Sequence, residues 1–273
     1  MPTSPASTVF PPVFTPSPGL GNQTFDLRSV LLPDFLQHAK IDALPKTAYY
    51  IPNFISAQEE EAILAKISST PKPRWKQLTY RRLQTWPSEL VNNSLLGAPL
   101  PHWLIDPVIS RLLSIPHSPA TDMNLFAQSP HKAPNHVLIN EYPPGVGIMP
   151  HKDGAAYHPV VCTVSLGASL CLNIHRNTAD GVIEPVPAYR ILQEPGSLLI
   201  IMDDLYSEYL HGIADITIDE DLSESSIVNW NQLRSPQAFA NGTNQRQTRM
   251  SLTYRDVIKV SKLGNKLGMF LRC

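Results

Sequence analysis

A chain of 273 residues can bury one large core or two modest ones. Its formal charge of −1 excludes a globally basic nucleic-acid binder, so any such contact must come from a local patch. With only 16% charged residues and 27 prolines, the composition argues against a helical bundle and for short strands joined by stiff turns.

Residues 1–24 are rich in Pro, Ser and Thr and are expected to be disordered. They carry no Lys or Arg and no long apolar run, unlike a secretory signal. Apolar residues Leu27, Val30, Leu31 and Phe35 predict a short helix over 26–37, interrupted near Pro33. We take 1–45 as an N-terminal extension, partly disordered, and 46–273 as one domain that opens with a strand at Thr47 to Pro52. Ser56-Ala-Gln-Glu59 is a capping-box pattern. The helix it starts places Ala62, Ile63 and Ile67 on one face and must end by Pro71.

Residues 72–87 interleave Lys72, Arg74, Lys76, Arg81 and Arg82 with Trp75, Tyr80 and Trp86. Cations beside aromatic faces suit a phosphate backbone and a stacked base. The competing reading is a solvated amphipathic hairpin with its tryptophans in the core. A second helix is predicted from Trp103 to Leu113, with Leu104, Val108 and Leu112 at helical spacing.

The stretch from Asn135 to Gly167 holds two strand-like runs around a Pro/Gly turn, with His151-x-Asp153 after the turn. Strands are predicted at Val160 to Leu166, Ser169 to Ile174, Tyr189 to Leu192 and Ser197 to Met202, the last apolar throughout as a strand buried on both faces would be. Residues 214–246 read as a long insertion of low regularity. A final strand spans Thr248 to Val257, followed by a basic tail with Lys259, Lys262, Lys266 and Arg272. At least seven short strands after position 120 point to a jelly-roll double sheet. No GxGxxG, Walker A or CxxC pattern is present.

An imidazole and a carboxylate two residues apart in extended chain share a face, so His151 and Asp153 offer two ligands of a 2-His-1-carboxylate iron site. His211, after the buried strand, is the best-placed third ligand; His158 and His175 compete with it. In the last strand Arg249, Ser251, Thr253 and Arg255 share one face, while Met250, Leu252 and Tyr254 share the other. Buried guanidinium groups need an anionic partner, and a carboxylate is the bidentate match. Asn140 and Tyr142 share a strand face and can bind the same anion.

Asn140-x-Tyr142-x-Pro-Gly-x-x-Ile148-x-x-His151-x-Asp153, His211-Gly-Ile and Arg249-x5-Arg255 together resemble the signature of the AlkB-type Fe(II)/2-oxoglutarate dioxygenases. Tyr50-Ile-Pro-x-Phe-Ile-Ser, Pro-Lys-Pro-Arg-Trp75, Arg81-Arg82-Leu-Gln-x-Trp86 and Val164-Ser-Leu-Gly are most similar to the subgroup of the sixth human AlkB homologue. The resemblance covers most of 47–213 and 248–256. It implies an α+β, mainly β domain with a double-stranded β-helix (jelly roll) core and N-terminal helices packed on one sheet.

By position, His151, Asp153 and His211 match the iron ligands and catalytic centre, and Arg249 the partner of the distal carboxylate of 2-oxoglutarate. Asn140, Tyr142 and Arg255 match other cosubstrate contacts, Ile148 an apolar wall beside it, and the 72–87 segment a nucleotide-recognition lid that would use Trp75, Lys76, Tyr80, Arg81, Arg82 and Trp86. Ser251 stands where many members carry Asn, with Thr253 beside it. The gap from His211 to Arg249 is longer than usual, so the 214–246 insertion is a candidate to shield or regulate the site.

The implied activity is oxidative demethylation of N-methylated bases in RNA or DNA, with Fe(II), 2-oxoglutarate and O2, on a single-stranded or flipped base. Two alternatives remain open: a protein hydroxylase or demethylase on the same scaffold, and a nucleic-acid-binding module with idle catalysis. A prolyl-hydroxylase-like enzyme would usually show Lys soon after the third His, whereas this chain offers Arg249. Three scattered cysteines (Cys162, Cys171, Cys273) give no disulfide framework, and no apolar run reaches the ~18 residues that cross a bilayer. The expected setting is the cytoplasm, the nucleus or both, as a monomer without membrane contact.

Overall fold

In the computed structural model, the residues described are 29–44, 47–178 and 180–261. Residues 1–24, the first part of the 26–37 segment and the tail with Lys262, Lys266 and Arg272 lie outside them. A seven-stranded antiparallel sheet is built from β1 (Ala48–Ile51), β2 (Lys76–Gln77), β3 (Arg82–Trp86), β4 (His136–Tyr142), β6 (Val160–Leu166), β9 (Leu198–Met202) and β11 (Arg249–Arg255), in the order β1-β9-β6-β11-β4-β3-β2. A four-stranded sheet faces it, from β5 (Ile148–His151), β7 (Leu170–His175), β8 (Tyr189–Gln193) and β10 (Leu210–Ile213), in the order β8-β7-β10-β5. This is a jelly roll.

Period-two alternation sorts each strand of the large sheet between two cores. Val137, Ile139, Cys162, Val164, Leu198, Ile200, Leu252 and Tyr254 face a helical layer. Tyr142, Leu199 and Ile201 face Leu172, Ile174 and Ile191 of the small sheet. As its composition implied, β9 is buried on both sides, with only Met202 reaching the half-buried range.

The helical layer starts with α1 (Ala57–Ser68), whose capping box forms: the Ser56 hydroxyl accepts from the Glu59 amide at 3.2 Å and the Ser56 amide donates to Glu59 at 2.8 Å. Ile63 and Ile67 are its buried apolar anchors. The expected helix at 103–113 is present but broken. Helical turns at His102–Leu104 and Ser110–Ser114 flank Asp106, whose ψ of 133° is extended because Pro107 follows it. Over the described residues 29–37 of the expected helix there is only the start of a 3-10 turn at Leu36–Ala39, after an irregular path through Pro33. Leu36, Ala39, Ile41 and Leu44 are buried, so the core begins before residue 46.

Candidate active site

Strands β5 and β10 are paired so that His211 stands directly across from His151. Their ring centroids are 4.4 Å apart. Glycines permit the approach: a Cβ on Gly147 would meet the Ile213 carbonyl oxygen at 2.0 Å, and one on Gly212 would meet the Pro150 nitrogen at 2.9 Å. Between His211 and Ile213 the register slips, which puts a β-bulge beside the histidine pair. His151 Nδ1–H donates to the Met149 carbonyl at 2.9 Å, which fixes the ring and leaves Nε2 as the nitrogen that can bind a metal. Burial pushes the His211 imidazole down to about 4, with Asp153 opposing that shift, so the ring is neutral at physiological pH. Asp153 follows the strand; its Oδ1 lies 2.6 Å from Arg255 Nη2 and its Oδ2 is buried without a hydrogen-bond partner.

The large sheet forms the opposite wall. Arg249, Ser251, Thr253 and Arg255 all face the cavity from it, and β4 pairs with β11 so that Tyr142 lies across from Arg249 and Asn140 across from Ser251. All seven residues of β11 are buried, charged ones included, so neither arginine is on a solvent face. Arg249 donates to Ser165 Oγ at 2.7 Å and to Gln193 Oε1 at 3.1 Å, and its guanidinium carbon is 5.9 Å from the Tyr142 ring centre. Among the described residues no carboxylate pairs with it. Burial lowers the Arg249 pKa to about 10, and burial raises that of Tyr142, so the phenol is a neutral donor.

His151, Asp153, His211, Asn140, Tyr142, Ile148, Arg249, Ser251, Thr253 and Arg255 all line one cavity of about 110 Å³ between the sheets. The rival histidines do not. His175 is turned to the Glu184 carbonyl at 2.9 Å and lines an outer groove, and His158 lies in a pocket beside Met202 and Asp203.

The 72–87 segment divides. Arg81 reaches the cavity, and Tyr80 is exposed at the mouth of the neighbouring groove. Arg82 is bound bidentately by Glu141 at 2.6 and 2.7 Å and stacks on Trp75 at 4.1 Å, while Lys76 pairs with Glu89 at 2.9 Å. Trp75 and Trp86 pack against the helical core, Trp86 edge-on to Trp103 at 5.8 Å. For those four the hairpin reading describes the contacts.

Sequence reasoning misses three residues of the site: Ser165, Gln193 and Tyr206. Gln193 and Ser165 hold Arg249, and Tyr206 lines the cavity while donating to the Gly154 carbonyl at 3.1 Å. Thr163 and Ser165 interrupt the apolar run of β6 on one face, a signal that was there to read. Nothing local marks Gln193.

Among the described residues no group of three or more His, Cys, Asp or Glu side chains already stands close enough to hold a metal. The donor chemistry nevertheless fits one. Two imidazoles face each other, Nδ1 of His151 is fixed by a carbonyl, and Asp153 Oδ2 is buried and free of protein partners. Asn140 Oδ1, Arg255 Nε and Arg81 Nε are buried without partners as well, which marks the cavity as built for a polar guest.

A model of the 2OG-Fe(II) oxygenase superfamily matches residues 47–255. The chain is 39% identical over 230 residues to a Danio rerio protein named "Probable RNA/DNA demethylase ALKBH6", covering 82% of this chain and 91% of that one. It is 27% identical over 216 residues to "Uncharacterized protein L905" of Acanthamoeba polyphaga mimivirus, covering 77% and 84%. Among solved structures, "The structure of OsALKBH1" superposes with a TM-score of 0.47 at 14% identity over 78% of this chain and 99% of that one.

Proposed function

The chain belongs to the 2OG-Fe(II) oxygenase superfamily, and from that premise we propose that it oxidatively demethylates N-methylated bases in nucleic acid. In this reading His151, Asp153 and His211 hold Fe(II), and Arg249 binds the distal carboxylate of 2-oxoglutarate. Asn140, Tyr142, Ser251, Thr253 and Arg255 supply further polar contacts, and Ile148 forms the apolar wall. When bound, iron with 2-oxoglutarate and O2 supplies the oxidation that hydroxylates an N-methyl group, giving a hemiaminal that sheds formaldehyde, with succinate and CO2 as co-products. The protein's part is to bind, orient and exclude water. Leu172, Leu199, Ile201 and Ile213 line the cavity with apolar surface, and Arg81, which lines both it and the neighbouring groove, can meet an anionic backbone.

One observation carries the reading: Arg249 is a buried cation that, among the described residues, is held only by neutral partners, facing the same cavity as the histidine pair. Such a group calls for an anionic ligand. The setting we propose is cytoplasmic or nuclear, as a monomer. Supporting it, Cys162 and Cys171 are free buried thiols, and no helix among the described residues is long and apolar enough to cross a membrane. The test is succinate release from 2-oxoglutarate in air with added Fe(II) and methylated RNA or DNA oligonucleotides. Wild type should turn over, and His151→Ala should lose at least ~100-fold, the scale of a lost first ligand or its support. Absence of succinate from wild type with every oligonucleotide would sink the proposal.

A further inference from the structure

Of the three candidate metal ligands, His151 and His211 sit in paired strands, whereas Asp153 falls in the loop after β5. That loop is tied to the chain after β11 only beyond Gly154. There the Ile258 amide donates to the Ala156 carbonyl at 2.9 Å, and the His158 amide to the Asp256 carbonyl at 2.8 Å. Around Gly154 the space is open, and a Cβ built there would meet nothing within 4 Å. Packing therefore does not fix the peptide that follows Asp153, and the task falls to hydrogen bonds. The Gly154 carbonyl accepts from the Tyr206 hydroxyl at 3.1 Å and, at a longer 3.4 Å, from the Tyr157 amide.

Tyr206 lies on the six-residue helix Asp203–Glu208, which joins β9 to β10 and so leads into the strand of His211. Leu205 anchors this helix in the core shared with the small sheet, and the Asp203 amide donates to the Pro159 carbonyl at 3.3 Å. Tyr206 also lines the catalytic cavity, close enough to Asp153 and Arg255 for their charges to act on its phenol. A carbonyl oxygen can only accept, so the one phenolic proton goes to Gly154 and not to the carboxylate. Asp153 Oδ2 stays unpartnered while Arg255 grips Oδ1.

We propose that Tyr206 is a positioning residue for the metal centre. Through the Gly154 carbonyl it ties the Asp153 loop to the helix that enters the His211 strand, and so fixes where Asp153 presents Oδ2 relative to the two histidines. The inference rests on the reading of His151, Asp153 and His211 as iron ligands and extends it to the group that holds the carboxylate in register. The carboxylate is then gripped twice, by Arg255 at the side chain and by Tyr206 at the peptide.

Tyr206→Phe keeps the ring and removes the hydroxyl. Co(II) binding to the metal-free protein, followed by visible absorption, should weaken about tenfold, the lower end of what a lost outer contact costs a metal site. The ligand-field bands should change in position or intensity as well. Ser207→Ala removes a neighbouring hydroxyl that bonds to the helix's own Asp203 carbonyl at 3.2 Å, and it should keep wild-type affinity and spectrum. A merely structural role would lower the thermal midpoint of metal-free Tyr206→Phe and leave the cobalt spectrum and affinity alone. Wild-type affinity and spectrum in Tyr206→Phe overturn the proposal, as does an equal loss in Ser207→Ala, which would trace the effect to the helix as a whole. A wild type that binds no Co(II) would sink the ligand reading itself and this role with it, so the two failures are told apart.

Discussion

Arg249 illustrates how a single side chain can be unfavourable for the fold and useful for the site. A guanidinium pKa brought down to about 10 means that the charged form costs the folded state on the order of 3 kcal/mol. The sign follows from the depressed pKa of a base: the cost is fully present below pH 10 and fades only as pH rises through 10 toward the unfolded value. Ser165 and Gln193 soften it without neutralising the charge. Replacing the residue by an apolar one of similar reach should therefore not destabilise the protein as removal of a paired buried arginine would. For Arg249→Met we expect a thermal midpoint equal to or above wild type, with the stabilisation by 2-oxoglutarate lost. Scanning calorimetry with and without the diacid reads both effects. A lower midpoint with the ligand response kept would make Arg249 a structural residue.

At the level of strands, the site depends on how closely β5 and β10 approach. Gly147 has no room for a side chain, since its Cβ would sit 2.0 Å from the Ile213 oxygen. Gly147→Ala must push the strands apart at the bulge, a strain of about 1–3 kcal/mol, and separate His151 from His211. We expect Co(II) affinity, followed by its visible absorption, to fall at least tenfold while far-ultraviolet dichroism stays native. Equal affinity would show that the strand spacing does not set the metal site. Sequence made the period-two features legible, because a strand's faces are written in its own residues: the polar face of Arg249 to Arg255, the row of Asn140 and Tyr142, and the doubly buried β9. Strand order also placed His211 beside His151. What stayed hidden depends on neighbours distant in the chain. Gln193 matters only because β8 lies beneath Arg249, and Gly147 only because β10 passes within contact. The break at Asp106-Pro107 was readable, as a residue before proline avoids helical ψ, but the apolar spacing of 103–113 outweighed it. In the 72–87 hairpin Arg74, Lys76 and Arg82 found aromatic and acidic partners within the protein, and composition cannot tell that from a free basic surface.

On the scale of the whole molecule, the 214–246 insertion is where expectation and structure differ most. Residues 214–246 contribute nothing to the wall of the cavity between the sheets. They are irregular but packed: Leu222, Ile227, Leu233 and Phe239 are buried in the core shared with the small sheet. A buried Arg246–Asp219 pair at 2.7 Å and amides of Arg234 and Ser235 on the Glu194 carboxylate tie the insertion down. It covers the free edge of β8, which would otherwise expose unpaired backbone. Val228 donates to the Arg190 carbonyl at 3.0 Å, and the Asn229 amide both accepts from Leu192 N–H at 2.9 Å and donates to the Leu192 carbonyl at 2.8 Å. Leu192 precedes Gln193, so this edge carries one of the groups that hold Arg249. Asn229→Ala would leave two buried backbone groups unsatisfied, each worth about 1–3 kcal/mol. We expect a loss of about 3 kcal/mol in urea unfolding, roughly 6–12 °C in midpoint, together with a weaker 2-oxoglutarate response. The two effects should travel together, because the edge that stabilises the sheet also positions the anion site. A variant that loses stability yet binds 2-oxoglutarate as tightly as wild type would show that the insertion supports the fold alone.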